Sequence, residues 1–231
     1  MSVAAPALPA LGTPRPVEGH RRYHLQPRAR ITHPLSEADL ETYRSRGFVV
    51  VRGLITSREP RHNLRLEWDH QLDRSWKIDP CTNASPAYAA LARDPRVTDR
   101  LCSIYDGYQP RLFKDKLILK PPGSHGNSRH QDYNWWQGLP HSCLTVSIAL
   151  DGTNRENGCT EMWTGHRRGF LHRADGERID GTELPLDLLA GEEHHHIELE
   201  PGDAAIFSCF TPHAAAPNRS ASPRRALFLS Y

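Results

Sequence analysis

Arg111-Leu112-Phe113-Lys114-Asp115-Lys116-Leu117-Ile118-Leu119-Lys120-Pro121-Pro122-Gly123-Ser124 is the stretch where the chain changes character. Before it, apolar residues recur at helical spacing. From it onward, short runs of strand-formers are separated by Gly, Pro and Asn turns. The spacing predicts strands over 111–119, 143–150, 159–163, 195–199, 203–210 and 225–231. Upstream, Ser36 and Asp39 make a capping box and Leu35 with Leu40 a hydrophobic staple, which predicts a helix over 37–46 closed by Gly47. Phe48-Val49-Val50-Val51 reads as a buried strand. Further helices are expected over 57–74, with Leu64, Leu66, Trp68 and Leu72 as anchors, after the Ser85-Pro86 cap, and over 95–105. Helices first and strands afterwards argue for an α+β or β-rich barrel buttressed on one face by N-terminal helices. No internal repeat is visible, so residues 31–231 are read as one domain. Residues 1–30, rich in Pro, Ala and Arg and without periodicity, are read as a flexible basic tail.

Composition narrows the class. Of 231 residues, 38% are hydrophobic and 24% charged, as in an ordinary soluble protein. No apolar run approaches the roughly 18 residues of a membrane span. Of the net charge of +2, residues 1–30 hold five Arg and one Glu, so the remainder is close to −2. A basic face for nucleic acid is therefore not expected, nor is a membrane partner. The five cysteines (Cys81, Cys102, Cys143, Cys159, Cys209) contain no CxxC pair, which fits reduced thiols in the cytoplasm better than a disulfide or zinc framework. The N-terminus shows no secretory apolar segment.

Two short motifs carry chemistry. In His130-Gln131-Asp132 the outer residues share one side of an extended segment, because side-chain direction alternates. His213, in Thr211-Pro212-His213, completes a facial set if its strand lies beside the first. Two imidazoles and one carboxylate suit Fe(II) and leave coordination positions open for a bidentate co-substrate and dioxygen. Eleven residues after His213 stands Arg224, at the start of an alternating strand, where an inward guanidinium can clasp a carboxylate with two parallel hydrogen bonds. Arg225 must then face outward.

Taken together, these motifs resemble the phytanoyl-CoA dioxygenase-like Fe(II)/2-oxoglutarate oxygenases over about residues 35–231. The resemblance rests on Gly47-Phe48-Val49-Val50-Val51-Arg52-Gly53, Leu117-Ile118-Leu119-Lys120-Pro121-Pro122-Gly123-Ser124 and His130-Gln131-Asp132. It continues through Glu156-Asn157-Gly158, Gly165-His166, Gly202-Asp203, His213, Pro217-Asn218 and Arg224. It implies a double-stranded β-helix (a jelly roll, cupin-like), with His130, Asp132 and His213 as iron ligands and Arg224 on the distal carboxylate of 2-oxoglutarate. The implied reaction is hydroxylation of an unactivated C–H bond, with release of succinate and CO2, or a sister oxidation such as desaturation, epimerisation or ring closure. Related halogenases lack the metal carboxylate that Asp132 supplies here. Trp136 matches a Trp lining the active site of ectoine hydroxylases. The family's Ser two residues after the distal His is Ala215 here, so either another donor serves the co-substrate carboxylate or Arg224 holds it with less help.

Other features are weighed against plainer readings. Lys114, Lys116 and Lys120 share a strand face that is either solvated or lines the site, where Lys114 or Lys116 would meet the co-substrate or an anionic group of the substrate. Trp135 and Trp136 are more often core residues than ligands, with Trp136 the better candidate for lining the site. Consecutive residues cannot converge on one ion, so His194-His195-His196 is read as a solvated hairpin. Residues 164–192, with Arg167, Arg168, Arg173, Asp175, Glu177 and Arg178, are the longest candidate for a lid. The expected substrate is a small polar metabolite. The rival classes are a zinc hydrolase or isomerase on the same scaffold, in which Arg224 would be idle, and a non-catalytic binding module.

Overall fold

The computed structural model describes residues 26–55, 77–171 and 183–231. The helix expected over 57–74 lies outside them. Helix α1 (Glu37–Arg46) forms where its caps dictate: the Ser36 side chain accepts from the Asp39 N–H, and Asp39 reaches back to the Ser36 backbone. Gly47 closes it at φ 84°. A Cβ at Gly47 would also collide with the His166 ring. Helices α2 (Pro86–Leu91) and α3 (Pro95–Ile104) both begin with proline at the first turn, behind the Ser85 and Asp94 caps.

The strands are β1 (Phe48–Val51), β2 (Lys77–Ile78), β3 (Lys114–Lys120), β4 (Asn127–His130), β5 (Leu144–Ala149), β6 (Thr160–Trp163), β7 (His194–Ile197), β8 (Ala204–Ser208), β9 (His213–Ala215) and β10 (Arg224–Ser230). They form a six-stranded sheet in the order β1-β8-β5-β10-β3-β2 and a four-stranded sheet in the order β4-β9-β6-β7. Every strand pairing is antiparallel. From β3 to β10 the chain crosses between the sheets at each connection except one: β6 runs directly into β7, which then crosses back to β8. This is the jelly-roll path. Strands β4 and β9, which carry the two histidines of interest, are not among those expected from the sequence.

The six-stranded sheet has two apolar faces with different partners. Leu117, Leu144, Val146, Ile148, Ile206, Leu227 and Leu229 pack on Leu40, Tyr43, Leu91, Val97 and Leu101 of the helices. Each such side chain contributes about 1.5–3 kcal/mol on burial, so the helices are held by the sheet's outer face. On the inner face, Phe48, Ala149, Ala205 and Phe207 meet Met162 and Ile197 of the smaller sheet. Asp203 ties the end of β1 to the turn before β8: its carboxylate accepts from the Gly53 N–H at 2.7 Å, the Arg52 guanidinium at 2.7 Å and the Glu200 N–H at 3.0 Å. Two motifs 150 residues apart in sequence are joined by this one buried group.

Within the stretch expected as a tail, residues 26–30 make contacts with the body. Pro27 bridges Tyr108, the Arg28 N–H donates to the Gly107 carbonyl at 2.8 Å, and the Arg28 Nε lies 2.7 Å from the buried Asp99. Enough polar partners and packing surface reach Gln26–Arg30 to order them.

Candidate metal centre

His130 ends β4, and its cross-strand partner is His213, the first residue of β9. Their rings stand 4.2 Å apart. Gln131 is extended (φ −111°, ψ 134°), so His130 and Asp132 face one way and Gln131 the other. The Gln131 amide is buried and binds three backbone groups: it donates to the Phe210 carbonyl at 2.6 Å and the Gly169 carbonyl at 2.9 Å, and accepts from the Leu171 N–H at 2.8 Å. This clamp fixes the turn that presents Asp132.

Three ligand atoms converge. Asp132 Oδ1 lies 3.9 Å from His130 Nε2 and 3.9 Å from His213 Nε2, and the group lies within 4.8 Å. The opposite atom of each side chain is already bonded. His130 Nδ1 sits 2.7 Å from the Ser128 carbonyl and His213 Nδ1 sits 2.9 Å from the Thr211 carbonyl. A carbonyl only accepts, so each Nδ1 carries the proton and each Nε2 presents a lone pair. The Thr145 hydroxyl donates to Asp132 Oδ2 at 3.1 Å and is itself bonded to Ser230 at 3.0 Å. Burial, with His213 alongside, pushes the His130 pKa down to about 4, which keeps the ring neutral. Two imidazoles and one oriented carboxylate, with their free atoms facing one another, fit a divalent first-row metal such as Fe(II).

The barrel face that carries Thr145 and Ser230 also defines what else reaches the centre. By alternation along β10 it bears Phe228, Ala226 and Arg224, and their partners on β3 are Lys116, Ile118 and Lys120. Arg224 is 3% exposed, and its Nε has no hydrogen-bond partner. Burial lowers its pKa to about 10, so it stays protonated at neutral pH. Arg225, by contrast, faces Asp151, with Nε to Oδ2 at 2.8 Å. Beside Arg224, buried Lys120 donates to the carbonyls of Ala216 and Gly158. Burial, then Arg224, lowers its pKa to about 8. Among the described residues neither cation forms an ion pair with a carboxylate, so two positive charges sit side by side where desolvation makes them costly. Lys120 was not singled out from the sequence as a co-substrate ligand, although Ala215 left open that a second donor serves there.

Two expectations are corrected. Lys114 is bonded to Asp79 at 3.2 Å and is taken up by that ion pair. Lys116, between them on the strand, lies over the Phe228 ring at 5.3 Å, and burial lowers its pKa against the opposing pull of Asp132. The tryptophans are exchanged: Trp136 packs with Tyr133, Cys143, Cys209 and Phe210, whereas Trp135, 53% exposed, sets its ring edge-on to His130 at 5.0 Å. The short helical turn after Asp132 rotates Trp136 into the core and leaves Trp135 at the mouth. Of the candidate lid, residues 172–182 lie outside the described set. Both flanks are anchored: Leu171, Leu184 and Leu189 pack on Trp163, and Arg129 Nε donates to the Leu184 carbonyl at 3.1 Å.

A two-sheet antiparallel barrel that brings His130, Asp132 and His213 together defines a class of metal-binding barrel. The family model described as phytanoyl-CoA dioxygenase (PhyH) matches residues 33–226, and the chain belongs to that family. It is 37% identical to a methylphosphonate hydroxylase of Gimesia maris over 52% of this chain and 44% of that protein. It is 32% identical to a 2-aminoethylphosphonate dioxygenase of an uncultured bacterium, over 54% of this chain and 47% of that protein. The chain thus spans about half the length of these curated relatives. A crystal structure of EctD from S. alaskensis with bound Fe superposes with a TM-score of 0.72 at 20% identity, covering 89% of this chain and 82% of that one. This likeness establishes the jelly-roll fold. Among the described residues, no helix is long and apolar enough to cross a membrane.

Proposed function

We propose that the chain is a non-haem Fe(II)/2-oxoglutarate-dependent dioxygenase that hydroxylates a C–H bond of a small anionic metabolite, with release of succinate and CO2. The observation that carries this reading is the convergence of His130 Nε2, His213 Nε2 and Asp132 Oδ1, each with its opposite atom already bonded. These three residues hold the metal. Arg224, aided by Lys120, takes the distal carboxylate of 2-oxoglutarate, close to a buried Nε that has no hydrogen-bond partner among the described residues. Fe(II), 2-oxoglutarate and dioxygen together supply the oxidant; the protein's share is placement and exclusion of water. Thr145 keeps the Asp132 carboxylate in one orientation, and Trp135 shields the exposed side of His130.

Lys116 names the kind of substrate. It shares the inner face with the triad, four residues along β3 from the Lys120–Arg224 pair, or about 13 Å of extended strand. A five-carbon diacid anchored by its distal end at Arg224 leaves Lys116 to an anionic group of the substrate. The two relatives named for phosphonates support a phosphonate-type anion. The test is succinate formation with methylphosphonate, 2-aminoethylphosphonate, a zwitterionic osmolyte and a long-chain acyl thioester. Phosphonate-dependent succinate is expected, with the substrate KM rising at least about tenfold in Lys116→Met, the loss of one charge-assisted contact. Succinate formed with the thioester alone, or a phosphonate KM indifferent to Lys116→Met, overturns the substrate assignment.

A further inference from the structure

The opposite face of the four-stranded sheet carries a second group of ligand atoms. On β6 and β9, Met162 and His213 face each other inside the barrel, so Glu161 and Trp163 point outward. On β7, His195 turns inward, with its ring 5.3 Å from Phe48, while His194 and His196 share the outer face. Three successive histidines do not converge, but the alternate two do. Glu161 stands opposite His196 in the strand register, and its Oε2 lies 2.8 Å from His194 Nε2. The His194 and His196 rings are 4.7 Å apart, and one ligand atom from each of the three residues falls within 4.8 Å of the others. Trp163 stacks flat on His194 at 4.3 Å and an interplanar angle of 10°, which restrains that imidazole.

We propose that Glu161, His194 and His196 form a second metal site, independent of His130, Asp132 and His213, that takes a zinc-class divalent ion. Two imidazoles and one carboxylate leave a fourth tetrahedral position for water, the donor set of a borderline cation rather than of calcium or magnesium. Tetrahedral ligands at 2.0–2.1 Å from zinc stand roughly 3.4 Å apart, so the His194–Glu161 pair opens slightly while His196 closes in. The ion replaces the proton shared between His194 and Glu161. It joins β7, the edge strand of this sheet, to β6 by side chains as well as by the backbone ladder. The site lies at the root of the β6–β7 connection, whose Glu192 accepts from the Thr164 hydroxyl at 2.7 Å. Its role is therefore to pin the base of that connection.

Zinc chloride titrated into the metal-free full chain, followed by calorimetry and by thermal unfolding, tests the proposal. The wild type is expected to bind two equivalents and His196→Ala one. Asp132→Ala/His213→Ala should still bind one, with its unfolding midpoint raised by a few degrees, and adding Glu161→Gln should abolish that. A wild-type chain that binds a single equivalent, lost with the triad, overturns the second site. So does a second equivalent that survives both His194→Ala and His196→Ala. Should the triad variant not fold, the stoichiometries of wild type and His196→Ala decide alone. Loss of the triad equivalent would speak only to the proposed oxygenase centre.

Discussion

Asp132 offers one oxygen to the metal position because the other is held by Thr145, itself held by Ser230. Replacing the hydroxyl by a methyl of the same shape in Thr145→Val frees the carboxylate to rotate. Fe(II) affinity, measured anaerobically by competition with a chromophoric chelator, is expected to fall about 10–100-fold with unchanged circular dichroism. The shared direction of His130 and Asp132 and the inward placement of Arg224 were legible from alternation, while grouping them with His213 as one centre rested on the family resemblance. Thr145 was not. A threonine inside Leu144-Thr145-Val146-Ser147-Ile148-Ala149 looks like any strand residue, and only the cross-sheet contact with Asp132 reveals its part. The tryptophan pair was misread for a related reason: the turn over Asp132–Asn134 breaks the period of two on which the expectation relied.

At the scale of elements, Gly47 ends α1, opens β1 and leaves room for His166. Gly47→Ala meets both a positive φ and a blocked Cβ. It is expected to lower stability by about 2–3 kcal/mol, read from the urea midpoint at constant m. His166 is buried against this glycine, and burial lowers its pKa to about 4 against the opposing pull of the Arg46 and Arg44 backbone. The capping box, the helix-opening prolines and the apolar strands were all visible beforehand, since each has a local signal. Strands β4 and β9 were not. Asn127–His130 and His213–Ala215 are short, and β4 has no apolar alternation. They are strands because β9 is paired on both sides, by β4 and β6, and not because of their own propensity. The elements hardest to read are thus the two that carry His130 and His213.

Across the whole molecule, the helices-then-strands order was enough to give the class of fold, but the crossing between sheets rests on long-range groups such as Asp203. Burial alone would raise the Asp203 carboxyl; the Gly53 N–H, the Arg52 guanidinium and the Glu200 N–H outweigh it and hold its pKa below the usual range. A carboxyl depressed in the folded state contributes stability above its unfolded pKa of about 3.9, and that contribution is lost as pH falls toward the folded value. Asp203→Asn should therefore be less stable than wild type at pH 7, with the gap in unfolding midpoints narrowing below about pH 4. The barrel in turn brings Arg224, on the last strand, to the same inner face as a triad assembled from β4, β9 and the turn after β4. Anaerobic addition of Fe(II) and then 2-oxoglutarate to metal-free protein tests that arrangement most directly, through the weak visible charge-transfer band of the chelate. The band should form in wild type, vanish in Asp132→Ala and weaken in Arg224→Ala. Its absence from a wild-type chain that binds Fe(II), or its persistence undiminished in Asp132→Ala, would contradict a 2-oxoglutarate-dependent iron centre at His130, Asp132 and His213.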